Sequence, residues 1–98
     1  MNEFQRILGI TYYNQNYFNL GVTASNYIGN HGDPLEIVLP NGIMIQSTIN
    51  RNINNNNSVR FYGGLQWHQF IQDNYNINTI ITFQVINPNT INIIPNAQ

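Results

Sequence analysis

Two stretches of the 98-residue chain concentrate side chains able to recognise a ligand. Residues 50–58 read Asn-Arg-Asn-Ile-Asn-Asn-Asn-Asn-Ser, so that the carboxamides of Asn52, Asn54, Asn55 and Asn56 surround one guanidinium, Arg51. A carboxamide carries a donor and an acceptor in one plane and matches the N6 and N7 edge of adenine, whereas a guanidinium forks onto guanine or onto a phosphate. Residues 11–17 set Tyr12, Tyr13 and Tyr17 among Asn14, Gln15 and Asn16. Tyrosine faces supply contact area at low entropic cost and would stack on bases or on sugars. Arg60, between Val59 and Phe61, points outward from a strand beside the Asn-rich run, where it could hold a phosphate. Each of these features also has a plain structural reading: a flexible polar loop, tyrosines lying over the mouth of a barrel, and an exposed strand arginine.

Catalysis finds no foothold, and the chain reads as a binding module, not an enzyme. Its four carboxylates, Glu3, Asp33, Glu36 and Asp73, are scattered; it has no Cys, and no glycine loop resembles a phosphate cradle. His31, Asp33 and Glu36 have a loosely metal-like spacing, but a turn containing Gly32 and Pro34 explains them better, and no second cluster completes a coordination shell. His68 is expected to stand alone on a polar helix face, in solvent. Asn56-Asn57-Ser58 fits the glycosylation pattern, a chance match in so Asn-rich a chain. No metal or cofactor is expected.

Charge is low and unusual in kind. Charged residues are 7% of the chain, Lys is absent, and the basic residues are Arg6, Arg51 and Arg60, for a formal net charge of −1. A nucleic-acid domain is normally basic, so this balance speaks against a purely electrostatic binder. About a fifth of the residues are Asn and about a sixth Ile. Hydrophobic residues reach 42%, mostly Ile, Val, Phe and Tyr, which favours a β-rich core. No apolar run is long enough to cross a bilayer, and the opening Met-Asn-Glu-Phe-Gln-Arg lacks the basic start and hydrophobic centre of a signal peptide, so no membrane association is expected.

The elements that must position these residues follow from periodicity. One domain over residues 1–98 is expected, with strands at 3–10, 18–22, 35–39, 43–49, 59–62, 79–86 and 90–94 and two short helices at 23–29 and 65–74. In the second helix Trp67, Phe70 and Ile71 share one face at spacings of three and four, which makes Trp67 a core residue. Ile81, Phe83 and Val85 alternate with Thr82 and Gln84, the period of a half-buried strand. Thr23 is placed to cap the first helix, and Gly29 or Gly32 to end it through a positive φ. Pro40-Asn41-Gly42 and Asn87-Pro88-Asn89 mark two tight turns.

The order of these elements carries a resemblance. A strand from Val59, the Gly63-Gly64 break, a Trp67-bearing helix ending in Asp73-Asn74, and two hydrophobic strands resemble the C-terminal half of the plant B3 DNA-binding domain. Phe4-Gln-Arg-Ile-Leu is similar to that family's opening strand, Phe18-Asn-Leu-Gly-Val with Thr23-Ala-Ser-Asn-Tyr-Ile-Gly to its second strand and first helix, and residues 35–49 to its central hairpin. Asn78-Thr79 stands where the family usually has Gly-Asp. The resemblance implies a mainly β (α+β) seven-stranded open pseudobarrel with two short helices. It implies that residues 11–17 and 50–58 are arms that enter the major groove of double-stranded DNA, as in plant transcription regulators and the recognition domains of some restriction endonucleases. The corresponding DNA-binding residues are Tyr12, Tyr13, Asn14, Gln15, Asn16, Arg51, Asn52, Asn54, Asn55, Asn56 and Arg60, and the implied location is the nucleus. Two alternatives stay open: a degenerate B3-like domain whose uncharged arms bind a protein, and a carbohydrate-binding β module suited to neutral Asn and Tyr surfaces.

Overall fold

The computed structural model describes residues 2–95. Seven strands and three short helices follow in the order β1 (Asn2–Ile7), α1 (Ile10–Asn14), β2 (Tyr17–Asn19), α2 (Val22–Ser25), β3 (Pro34–Val38), β4 (Met44–Thr48), β5 (Arg60–Tyr62), α3 (Gly64–Asn74), β6 (Ile80–Asn87) and β7 (Thr90–Ile94). Five strands form a sheet in the order β1-β6-β7-β3-β4, and β2 pairs with β5 in a small second sheet. Every pairing is antiparallel except β3 with β7, where Ile37 lies opposite Ile91.

The small sheet continues the large one. An isolated bridge between Asn50 and Arg60 carries the chain from β4 toward β5, and Ser47 Oγ donates to the Tyr62 carbonyl at 2.7 Å. The strands thus curl round as an open pseudobarrel whose unpaired edges are β1 and β2. Gly21, just past β2, has a φ of +87°, and a Cβ there would lie 2.7 Å from Arg6 Nη1, so the Arg6 side chain crosses this seam against bare backbone.

Alternation fixes which side chains enter the core. Leu35 and Ile37 of β3, Ile81, Phe83 and Val85 of β6, and Ile91 and Ile93 of β7 are buried, while their neighbours in sequence are not. Helix α3 closes the barrel with Trp67, Phe70 and Ile71. The Trp67 ring meets Phe61 edge-on with centroids 4.9 Å apart and touches Phe18 at 5.7 Å. Gly63 precedes the helix because a Cβ there would collide with Trp67 Cβ and lie 2.7 Å from its Cγ. The Pro40-Asn41-Gly42 turn forms as expected: Gly42 N–H donates to the Leu39 carbonyl, Gly42 has a φ of +88°, and Leu39 N–H reaches the Ile43 carbonyl at 2.8 Å. That is a turn followed by a left-handed glycine, a common three-residue hairpin loop.

Several local expectations are corrected. Three helices form, not two, because the first expected strand stops at Ile7 and Ile10–Asn14 winds into α1. Tyr13 N–H donates to the Gly9 carbonyl at 3.0 Å, and Tyr12 and Tyr13 pack against the core, burial that outweighs the poor helix propensity of Thr and Tyr. Helix α2 ends at Ser25, short of the expected residue 29, and its cap is Gly21, with Thr23 inside the helix. Gly32, at φ +91°, serves the turn into β3. His68 is half-buried, and its Nε2 has no partner among the described residues. No helix among the described residues is long and apolar enough to cross a membrane.

Candidate nucleic-acid interface

The two-stranded sheet has one buried and one outward face. Its register sets Tyr17 opposite Tyr62, Phe18 opposite Phe61 and Asn19 opposite Arg60. Phe18 and Phe61 enter the core, so Tyr17, Asn19, Arg60 and Tyr62 share the outer face.

Asn19 is the hub of that face. Its Nδ2 donates to the Tyr12 hydroxyl at 2.9 Å, and its Oδ1 accepts from Arg60 Nε at 2.9 Å and from Asn54 Nδ2 at 3.2 Å. One carboxamide therefore ties together residues 11–17, residues 50–58 and β5. The Arg60 guanidinium carbon lies over the Tyr17 ring, 3.9 Å from its centroid, a cation–π contact that helps to hold the cation in place. Tyr12 meets Tyr17 edge-on at 5.9 Å, and Tyr17 meets Tyr62 at 5.8 Å, forming a short aromatic row.

Two clefts flank Asn19. One of about 310 Å³ runs between Arg6 and the side chains of Asn54, Asn55 and Asn56, and the other, about 480 Å³, runs between Arg60, Tyr12, Tyr17 and Ile10. Each cleft has one arginine in its wall, and no carboxylate lines either. The charged side chains lining these two clefts are thus both arginines, while Glu3 lines a further cleft on the other side of Arg6. Arg6 Nε is buried without a partner among the described residues.

Arg51 is placed otherwise than its position in the Asn-rich run suggests. Its Nε donates to the Gly29 carbonyl at 3.0 Å, Nη1 to that of Asn57 at 2.9 Å, and Nη2 to those of Ser25 at 2.7 Å and Ile28 at 2.9 Å. Its backbone N–H donates to His31 Nδ1 at 3.0 Å. The guanidinium gathers carbonyls at and just beyond the end of α2, of which that of Ser25 also accepts from Ile28 N–H, and fastens the base of the Asn-rich loop to them.

Of the residues expected from sequence, Tyr12, Asn54 and Arg60 converge on Asn19, and Asn55 and Asn56 edge the neighbouring cleft. Asn52 is exposed, with its Nδ2 3.3 Å from His31 Nε2. Tyr13 packs inward, and its carbonyl accepts from Gln72 Nε2 at 3.2 Å. Asn14, Gln15 and Asn16 are exposed beyond this convergence, the Asn16 carbonyl accepting from Gly63 N–H. Sequence reasoning missed Asn19 and Arg6. The alternation in Tyr17-Phe18-Asn19 was the signal for the first, since a buried Phe18 forces Asn19 outward beside Tyr17.

No family model matches the sequence, and no curated protein matches it. Two solved structures are similar in fold. The N-terminal domain of Helicobacter pylori LlaJI.R1 superposes with a TM-score of 0.72 at 11% identity, over 95% of this chain and 79% of that one. The hypothetical Arabidopsis thaliana protein At1g16640.1 superposes with a TM-score of 0.64 at 10% identity, over 95% of this chain and 87% of that one. The chain has the fold of these two domains, a mixed α+β, mostly stranded open architecture that fits a B3-like pseudobarrel.

Proposed function

We propose that this chain is a non-catalytic, B3-like module that binds double-stranded DNA through the face centred on Asn19, in the manner of the transcription regulators it resembles and, with them, in the nucleus. One observation carries the proposal: Arg6 and Arg60 flank Asn19 in two clefts that no carboxylate lines and to which both arms contribute. Arg6 and Arg60 would take phosphates on either side of the groove, fixing register, while the exposed carboxamides of the arms meet base edges. With Arg51 committed to backbone carbonyls, at most two guanidiniums remain for phosphate. Each neutralised phosphate contributes roughly −0.9 to the slope of log K against log salt, so two give about −1.8, or about a 12-fold loss between 50 and 200 mM salt.

The test is a salt series of binding to a random-sequence duplex pool. Binding at 50 mM salt with a slope near −1.8, halved in Arg60→Gln and in Arg6→Gln, supports the proposal. A slope steeper than about −4 would contradict it, since that demands cations this face does not have. No binding to any duplex would leave the same aromatic face to a protein partner, the reading that the scarcity of cations favours.

A further inference from the structure

We infer that the arm formed by residues 50–58 reads A·T base pairs and discriminates against G·C, with Asn55 on adenine and Ile53 on the thymine methyl. This rests on the DNA-binding reading above and adds what the site selects. The internal hydrogen bonds of the arm sort its side chains into those already committed and those left free. Arg51, the one residue in the arm with the paired donors that guanine O6 and N7 call for, is fastened to the carbonyls of Ser25, Ile28, Gly29 and Asn57. Asn54 is turned inward, its Nδ2 donating to Asn19 Oδ1 and to the Ser58 carbonyl, both at 3.2 Å.

What remains at the tip is of a different kind. Asn57 N–H donates to the Asn54 carbonyl at 3.1 Å, which closes a turn with Asn55 and Asn56 at its two central positions, and Asn57 follows in the left-handed region at φ +62°. Asn56 Oδ1 accepts from Ser58 N–H at 3.0 Å, which holds that side chain back along the loop. Asn55 is exposed at the apex with both ends of its carboxamide free of partners among the described residues. Ile53, two residues earlier, is 50% exposed in an otherwise polar loop. A free carboxamide pairs in two bonds with adenine N6 and N7, and the thymine methyl is the one apolar group that a base pair presents in the major groove. A protruding carboxamide and a protruding aliphatic side chain, with the guanidinium withdrawn, match an A·T pair on both counts.

The experiment enriches duplexes from a random pool on the whole protein, then substitutes the enriched site base by base with 7-deaza-adenine, which lacks N7, and with deoxyuridine, which lacks the methyl. A·T pairs should dominate the positions at which Asn55→Ala and Ile53→Ala change the selection. Asn55→Ala should lose between about 5- and 150-fold in affinity, the range for one bidentate base contact. At the matching adenine, 7-deaza substitution should weaken the wild type and leave Asn55→Ala unaffected. Deoxyuridine should cost the wild type about fourfold, one methyl's burial, and Ile53→Ala nothing. Both variants should keep the wild-type melting temperature, since both side chains are exposed. Enriched sites with G·C at those positions, or base analogues that weaken wild type and variants equally, would overturn the inference while leaving DNA binding intact. A pool retained without enrichment of any sequence would overturn the inference alone, and a pool from which no duplex is retained would overturn both.

Discussion

Replacing Arg51 with Ala tests whether this guanidinium is a structural clamp or a ligand contact. Hydrogen bonds from charged donors contribute about 1.5–3 kcal/mol each in protected settings. The bond to Asn57 is exposed, so water replaces it at little cost; those to Ser25, Ile28 and Gly29 are partly buried. Taking about 1–1.5 kcal/mol for each of the latter, at or below the low end because the rim is wet, gives a loss of about 3–4.5 kcal/mol. For a domain of this size that lowers the melting temperature by roughly 12–36 °C. Thermal unfolding followed by circular dichroism, with urea titration to check that the m-value is unchanged, measures it directly. Arg51→Lys should recover less than half, because a point charge on a flexible stem cannot span four carbonyls set apart in space. At temperatures where the variant stays folded, its salt slope on duplex DNA should equal that of the wild type. A melting temperature within about 2 °C of wild type, together with a slope shallower by about 0.9, would refute the clamp and return Arg51 to the phosphates.

Trp67→Ala should cost about 3–5 kcal/mol through the cavity it leaves among Phe18, Phe61 and Phe70. Trp67→Phe should cost less than half as much, because Trp67 Nε1 has no hydrogen-bond partner to lose among the described residues, and equal losses in calorimetry would contradict that. Gly63→Ala should destabilise by about 1–3 kcal/mol by forcing a methyl against Trp67, and an unchanged urea midpoint would show that the helix start can give way. Burial pushes the Tyr75 phenol above its ordinary value of 10.0, so the folded state holds this proton after the unfolded chain has released it. Stability should therefore be intact below pH 10 and decline as pH rises through the raised value, with the decline reduced in Tyr75→Phe; an identical alkaline limb in both proteins would remove Tyr75 as its cause.

The parts of this structure legible in sequence are those set by near neighbours. Alternation located the seven strands, the spacing of Trp67, Phe70 and Ile71 located α3 and its buried face, and Pro40-Asn41-Gly42 located a hairpin. Helix α1 was not legible because it is little more than one turn, rich in residues that favour strands; the packing of its tyrosines on the core and bonds from Asn19 and Gln72 hold it. The same limit applies to the site. Residue type marked Tyr12, Asn54 and Arg60, yet their meeting point, Asn19, lies in a stretch whose pattern spoke only of a strand. Arg51 looked like a recognition residue because its acceptors lie 22 to 26 positions earlier, around Ser25 to Gly29, where periodicity carries no information about them.

The strand pairings also govern the time course of folding. β1 is joined to β6, β2 to β5, and β3 on its second side to β7, so Phe4 has no cross-strand neighbour until Phe83 exists. Only the β3–β4 hairpin can form from the first half alone. Closing loops this long costs entropy before the contacts compensate, which puts such a chain among slow, millisecond-to-second folders. During synthesis β1, and β3 on its second side, must wait for the last hairpin to arrive; the cooperative unit is nearly the whole described chain, and losing β6 and β7 would leave two of the first four strands without a pairing they need.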